Sequence, residues 1–113
     1  MKRIVIGVTG ASGTIYAIDL LKKLRDKPDV ETHLVMSAWA TKNLALETSY
    51  TLAQVKALAD YTYSDRDQGA KIASGSFLHD GMVIVPASMK TVAGVAYRFG
   101  ETLIALAADV TIK

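Results

Sequence analysis

The sequence predicts an α/β fold built on a parallel sheet, and three observations carry that expectation. Short apolar runs rich in β-branched residues, Ile4-Val5-Ile6-Gly7-Val8 and Gly81-Met82-Val83-Ile84-Val85, lack polar alternation. Such runs suit strands covered on both faces. Segments with helical spacing separate them, as parallel connections require. Each strand candidate also passes into a turn or helix start bearing Gly, Ser or Thr. The order reads β-α-β-α-(α)-β-α.

Taken in order, the first strand ends in Thr9-Gly10-Ala11-Ser12-Gly13, too rich in glycine to continue it. Ile15, Ile18, Leu21 and Leu24 then mark a helix, with Lys22, Lys23 and Arg25 near its C-terminus, where cations complement the macrodipole. Lys27-Pro28-Asp29 stops it. Thr32-His33-Leu34-Val35-Met36 is the second strand, followed by Ser37 as an N-cap. Trp39, Leu44 and Leu46 carry a helix to about residue 48, and Thr51 caps a shorter one bearing Leu52, Val55 and Leu58. Residues 61–80 are the least regular stretch, with Tyr61-Thr62-Tyr63 read as edge or loop packing. The third strand ends at Pro86, and Ser88-Met89-Lys90-Thr91 opens the next helix. The tail around Leu103, Ile104, Leu106 and Ala107 reads as helical, whereas Val110-Thr111-Ile112 fits either a strand or that helix.

Composition narrows the function. The 113 residues, half of them hydrophobic and 21% charged, suit one domain spanning 1–113 and exclude a disordered chain. A cysteine count of 0 excludes a disulfide scaffold, a thiolate metal cluster and a cysteine nucleophile. The net charge of +2 comes from interspersed charges of both signs, which is not the basic stripe of a nucleic-acid binder. No apolar stretch approaches the roughly 20 residues of a membrane span. The N-terminal run is too short for a signal-peptide core, so the expected location is cytoplasmic.

Gly7, Gly10 and Gly13 follow G-x-x-G-x-x-G, which departs from the dinucleotide fingerprint G-x-G-x-x-G. The second strand also ends at Met36-Ser37 without the acidic residue that would bind a ribose. No Gly-Lys-Ser/Thr follows, which excludes a Walker loop. What remains is a small turn that lets backbone approach a flat ring or a phosphate, or simply joins a strand to a helix. Three helix starts bearing hydroxyls should line one sheet edge, where free N–H groups favour anions. Ser37 suits either a plain cap or a ligand contact. Lys90 adds a charge beside Ser88 and Thr91, although a capped helix with a solvent-facing lysine is equally compatible. Glu47 is either a surface carboxylate at a helix end or an acid facing the pocket. His33 and His79 have no metal or triad spacing and read as structural or exposed, so no metal site is expected. Trp39 suits a core anchor, an interface or a pocket wall.

The strings Ile6-Gly7-Val8-Thr9-Gly10-Ala11-Ser12-Gly13, His33-Leu34-Val35-Met36-Ser37 and Val85-Pro86-Ala87-Ser88-Met89-Lys90-Thr91-Val92-Ala93-Gly94 occur here in order. Ser74-Gly75-Ser76 and Ala107-Ala108-Asp109-Val110 accompany them. Together they resemble the UbiX family of flavin prenyltransferases, some of which were formerly described as components of phenolic acid decarboxylases. The resemblance spans essentially the whole chain. It implies a Rossmann-like three-layer sandwich that binds FMN and dimethylallyl phosphate without a metal. The prenyl group joins N5 and C6 of reduced flavin, making the cofactor of UbiD-type decarboxylases. By resemblance, Gly10, Ala11, Ser12, Ser37, Ser88, Met89, Lys90 and Thr91 contact FMN, the last five largely around its phosphate. Ser12 and Glu47 stand near the reacting centre. Ala87 replaces the cysteine usual at that position.

Family members run to nearly twice this length, and their remaining strands carry an arginine for FMN and the residues for the prenyl phosphate. The resemblance therefore implies an N-terminal part whose C-terminal strands are missing, expected to be inactive or nearly so alone. It makes the tail a helix and implies a large homo-oligomer. The alternatives are a non-catalytic FMN-binding module and, with less support, an NAD-linked oxidoreductase.

Overall fold

The computed structural model describes residues 2–67, 70–74 and 79–87, together with Ile104 and Ala107. Strands β1 (Lys2–Val8), β2 (Val30–Met36), β3 (Tyr61–Ser64) and β4 (Gly81–Ile84) form one sheet in the order β3-β2-β1-β4. All three pairings are parallel. β1 and β2 pair over their full lengths, from Lys2 opposite Val30 to Val8 opposite Met36. Helices α1 (Thr14–Arg25), α2 (Ala38–Glu47) and α3 (Leu52–Lys56) connect the first three strands. Among the described residues no helix is long and apolar enough to cross a membrane.

The alternation of the strands explains the layers, because successive side chains leave opposite faces. Ile6 and Val8 of β1 and Leu34 of β2 pack against Ala17, Ile18 and Leu21 of α1, Ala40 and Leu44 of α2, and Val55 of α3. Burying a side chain such as Ile18 or Leu21 contributes roughly 1.5–3 kcal/mol. Val5 and Val35 face the other way, into a second core with Ala70, Ile72, Ile104 and Ala107. Ile104 and Ala107 are helical, so apolar groups cover both faces of the sheet.

Local chemistry sets the helix ends. Thr51 caps α3 and accepts from Gln54 N–H, while the Gln54 side chain accepts from Thr51 N–H, completing a capping box. On α1 the buried stripe is Thr14, Ala17, Ile18 and Leu21. Ile15, expected on the core face, is instead 42% exposed. Its three-residue spacing from Ile18 drifts around the helix, and only the mixed three-and-four spacing stays on one side.

The sheet has four strands where the sequence predicts three. Tyr61–Ser64 is a parallel edge strand beside β2. Its anchor is His33, fully buried, whose ring stacks on Tyr61 at 4.8 Å and on Tyr63 at 5.8 Å. Tyr63 Oη lies 2.9 Å from His33 Nδ1, and the Glu31 carboxylate accepts from Nε2–H at 2.6 Å. Burial, with the nearby Tyr61 and Glu31, raises the Tyr63 phenol pKa and keeps its proton in place. The helix expected from Ser88 and the tail beyond Ala107 lie outside the described residues.

Asp65, half-buried just after β3, accepts from Ile104 N–H at 2.9 Å. Burial raises its carboxyl pKa, against the lowering effect of that hydrogen bond. A raised folded-state value means the stabilising contribution is complete below the unfolded pKa and is lost as pH rises through the folded one. Asp65→Asn removes the charge and keeps an acceptor for Ile104. The variant is expected to melt above the unmodified chain at pH 7, with the advantage shrinking as pH falls through the raised folded-state value and gone below about pH 4. Thermal denaturation across that range checks this, and a lower melting temperature at pH 7 would contradict it.

Candidate functional site

The strand order places a topological switch at β1. The chain moves outward from β1 through β2 to β3, then returns to set β4 on the other side of β1. In open α/β sheets, ligands occupy the crevice beyond the strand C-termini at such a point. Here those ends are joined by hydrogen bonds. Val85 N–H donates to Gly7 O at 2.9 Å, and Ser37 N–H donates to Val8 O at 3.0 Å. Thr9 donates twice to Pro86 O, through its N–H at 3.2 Å and its hydroxyl at 2.6 Å.

The turn at residues 10–13 is therefore held from below, and α2 holds it from the side. A Cβ on Gly10 would stand 2.4 Å from Trp39 Cβ, so only glycine permits this approach of turn to helix. Gly13 caps α1 with φ +111°, a left-handed conformation that strains other residues. It supplies no side-chain cap, and the Glu47 carboxylate accepts from its N–H at 3.0 Å. Glu47 is thus both exposed at the helix end and directed at the turn. The Asn43 carboxamide donates to Gly10 O at 2.6 Å and more loosely to Ala11 O at 3.5 Å.

Among the described residues, the N–H groups of Ala11 and Ser12 have no hydrogen-bond partner. Ser12 is exposed in the turn. Ser37 caps α2 by accepting from Ala40 N–H at 3.1 Å, which leaves its own O–H proton to donate elsewhere. Gly10, Ala11, Ser12, Ser37 and Glu47 thus gather at one end of the sheet. Ser88, Met89, Lys90 and Thr91 lie outside the described residues, although the chain reaches that end through Pro86.

Asn43 does not stand out as a site residue in the sequence, and Trp39 reads there as a core anchor, an interface or a pocket wall alike. Their signal is spacing: Trp39, Asn43 and Glu47 recur every fourth residue and share one side of α2. Trp39 is 66% exposed, with Lys42 Nζ 4.4 Å from the ring centroid. A separate cleft of about 390 Å³ lies between α2, α3 and the ends of β2 and β3, rimmed by Lys56 and Arg66. It does not touch the glycine turn. No metal-binding cluster of acidic or histidine side chains occurs among the described residues.

The Flavoprotein family model matches residues 1–113. The chain belongs to the flavoprotein family. Among curated relatives, it is 77% identical over all 113 residues to the flavin prenyltransferase LpdB of Lactiplantibacillus plantarum. It spans 60% of that protein's length. A dodecameric FMN-dependent UbiX-like decarboxylase from Escherichia coli O157:H7 superposes with a TM-score of 0.94 at 48% identity, over 96% of this chain and 59% of that one. AnUbiX, crystallised with FMN and dimethylallyl pyrophosphate, gives 0.93 at 48% identity, over 96% and 57%. The order and packing of the strands in this flavoprotein are thus those of UbiX structures.

The Gly10–Trp39 contact makes a sharp prediction. Gly10→Ala is expected to lower the melting temperature, because the new Cβ collides with Trp39 Cβ. Adding Trp39→Gly should recover part of the loss despite the cost of glycine in a helix, about 1 kcal/mol. Adding Trp39→Ala, which retains the colliding atom, should not. Equal recovery by both would show that the collision is not the cause.

Proposed function

We propose that this chain binds FMN along the edge formed by the ends of β1, β2 and β4, as part of a flavin prenyltransferase. The reaction joins a dimethylallyl group from dimethylallyl phosphate to reduced FMN, breaking the donor's C–O bond and releasing phosphate, and the product serves a UbiD-type decarboxylase. The observation that carries this reading is the 77% identity to a flavin prenyltransferase along the whole chain.

The residues present fit FMN. The turn offers the unspent N–H groups of Ala11 and Ser12, and Gly10 keeps the backbone close against α2. Ser37 has a hydroxyl proton to give and stands at a helix N-terminus, a setting that favours a phosphate. Ser88, Met89, Lys90 and Thr91 follow Pro86 in sequence and complete the proposed phosphate grip. Reduced flavin supplies the nucleophilic ring atoms; the protein's part is orientation and charge placement. Ser12 adjoins the reacting centre in this reading. Glu47, one oxygen held by Gly13 N–H, keeps its second oxygen to hold or pass a proton.

Trp39, the single tryptophan, lies against the turn and reports on it directly. FMN titration of the 113-residue chain is expected to quench its fluorescence saturably. Ser88→Ala with Lys90→Ala should weaken binding, as should replacing FMN by riboflavin, which lacks the phosphate. Absence of saturable quenching would remove the FMN reading. Riboflavin binding as tightly as FMN would remove the phosphate assignment alone.

We also infer homo-oligomeric assembly, as in the dodecameric relative. Large apolar side chains at Tyr16, Trp39 and Leu46 stand 67%, 66% and 82% exposed, more than a solitary protomer gains from showing to water. Sedimentation is expected to show a multiple of 12.1 kDa. A monomer at micromolar concentration would contradict assembly.

A further inference from the structure

We propose that Asn43 is a positioning residue that aims the turn's free amides at the flavin, an inference that rests on the FMN reading above. A trans peptide unit fixes its C=O and N–H in opposite directions. Gly10 O and the Ala11 N–H belong to one such unit, and Ala11 O and the Ser12 N–H belong to the next. The Asn43 carboxamide donates to both carbonyls, at 2.6 and 3.5 Å. By holding the carbonyls toward α2, it turns the two N–H groups away from α2. Those N–H groups are the ones without partners among the described residues.

The turn needs such a device because glycine brings freedom along with close approach. Gly10 borders the first unit, so that peptide could flip to present a carbonyl oxygen outward, and Gly13 lies one residue beyond the second. A carbonyl would repel the electron-rich edge of a reduced flavin, whereas an N–H attracts it. Glu47 fixes the far end through Gly13 N–H but does not touch either of these units. Asn43 is the contact that selects their orientation.

The side chain supplies this at little structural cost. It is half-buried, one turn from both Trp39 and Glu47, and belongs to neither apolar core. Only a side chain with an N–H donor at this reach can perform the task. Leucine matches the volume and cannot donate. Aspartate matches the shape and offers acceptors only.

The test compares FMN titrations of the unmodified chain, Asn43→Leu and Asn43→Asp, with FMN-free melting curves and visible circular dichroism at saturating FMN. Both variants are expected to bind FMN about tenfold or more weakly, as for losing one hydrogen bond that holds the competent turn. Their flavin dichroism at saturation should differ from that of the unmodified chain, a change that a lowered folded fraction would not produce. Should Asn43→Leu prevent folding, Asn43→Asp carries the comparison. If the unmodified chain binds FMN and a folded variant binds with the same affinity and dichroism, the role of Asn43 is overturned while the FMN reading stands. If the unmodified chain takes up no FMN, the reading falls and this inference with it.

Discussion

The close approach of α2 to the glycine turn is the constraint on which the rest of the sheet's upper edge depends. Gly10 has no room for even one carbon beside Trp39. That distance brings Asn43 within reach of Gly10 O and Glu47 within reach of Gly13 N–H. One helix therefore meets both polarities of the turn, a donor for its carbonyl and an acceptor for its amide. With those groups satisfied, the amides of Ala11 and Ser12 are the turn's backbone donors left without partners among the described residues. A wider spacing would leave each of these groups to water and the turn without a set direction.

Much of this was legible in the sequence because the central strands are simple. The run at residues 4–8 is nearly uniform in character, and burial on both faces is the state that such uniformity serves. The turn residues, Ser37 as a cap and Thr51 as another each announce themselves by side-chain chemistry. The edge strand was less readable. Tyr61–Ser64 is four residues long, largely exposed, and stabilised by His33 some thirty positions earlier. No local pattern encodes a pairing that depends on a ring stacked from the neighbouring strand.

The candidate site divides along the same line. Gly10, Ala11, Ser12, Ser37 and Glu47 could be named because their types and strings are distinctive. Asn43 could not, because an asparagine within a helix has several ordinary explanations. Its role emerges only once the helix is seen against the turn. Glu47 was readable as a surface carboxylate or as an acid facing a pocket; the fold leaves it exposed and sets it on the backbone of another element. Ile15 shows the opposite failure, an apolar residue at plausible spacing that geometry sends to the surface.

The sheet is also uneven in its stitching. β1 and β2 share seven register pairs, whereas β4 is joined to β1 by four. The crevice at the switch point has the long ladder on one bank and the short ladder on the other. Local opening in proteins follows the weaker seams, so amide protons on β4 should trade with solvent sooner than those on β2. A molecule gripping both banks would act as a suture across that seam. Its capture would then be felt as slowed exchange along β4, well beyond the atoms it touches.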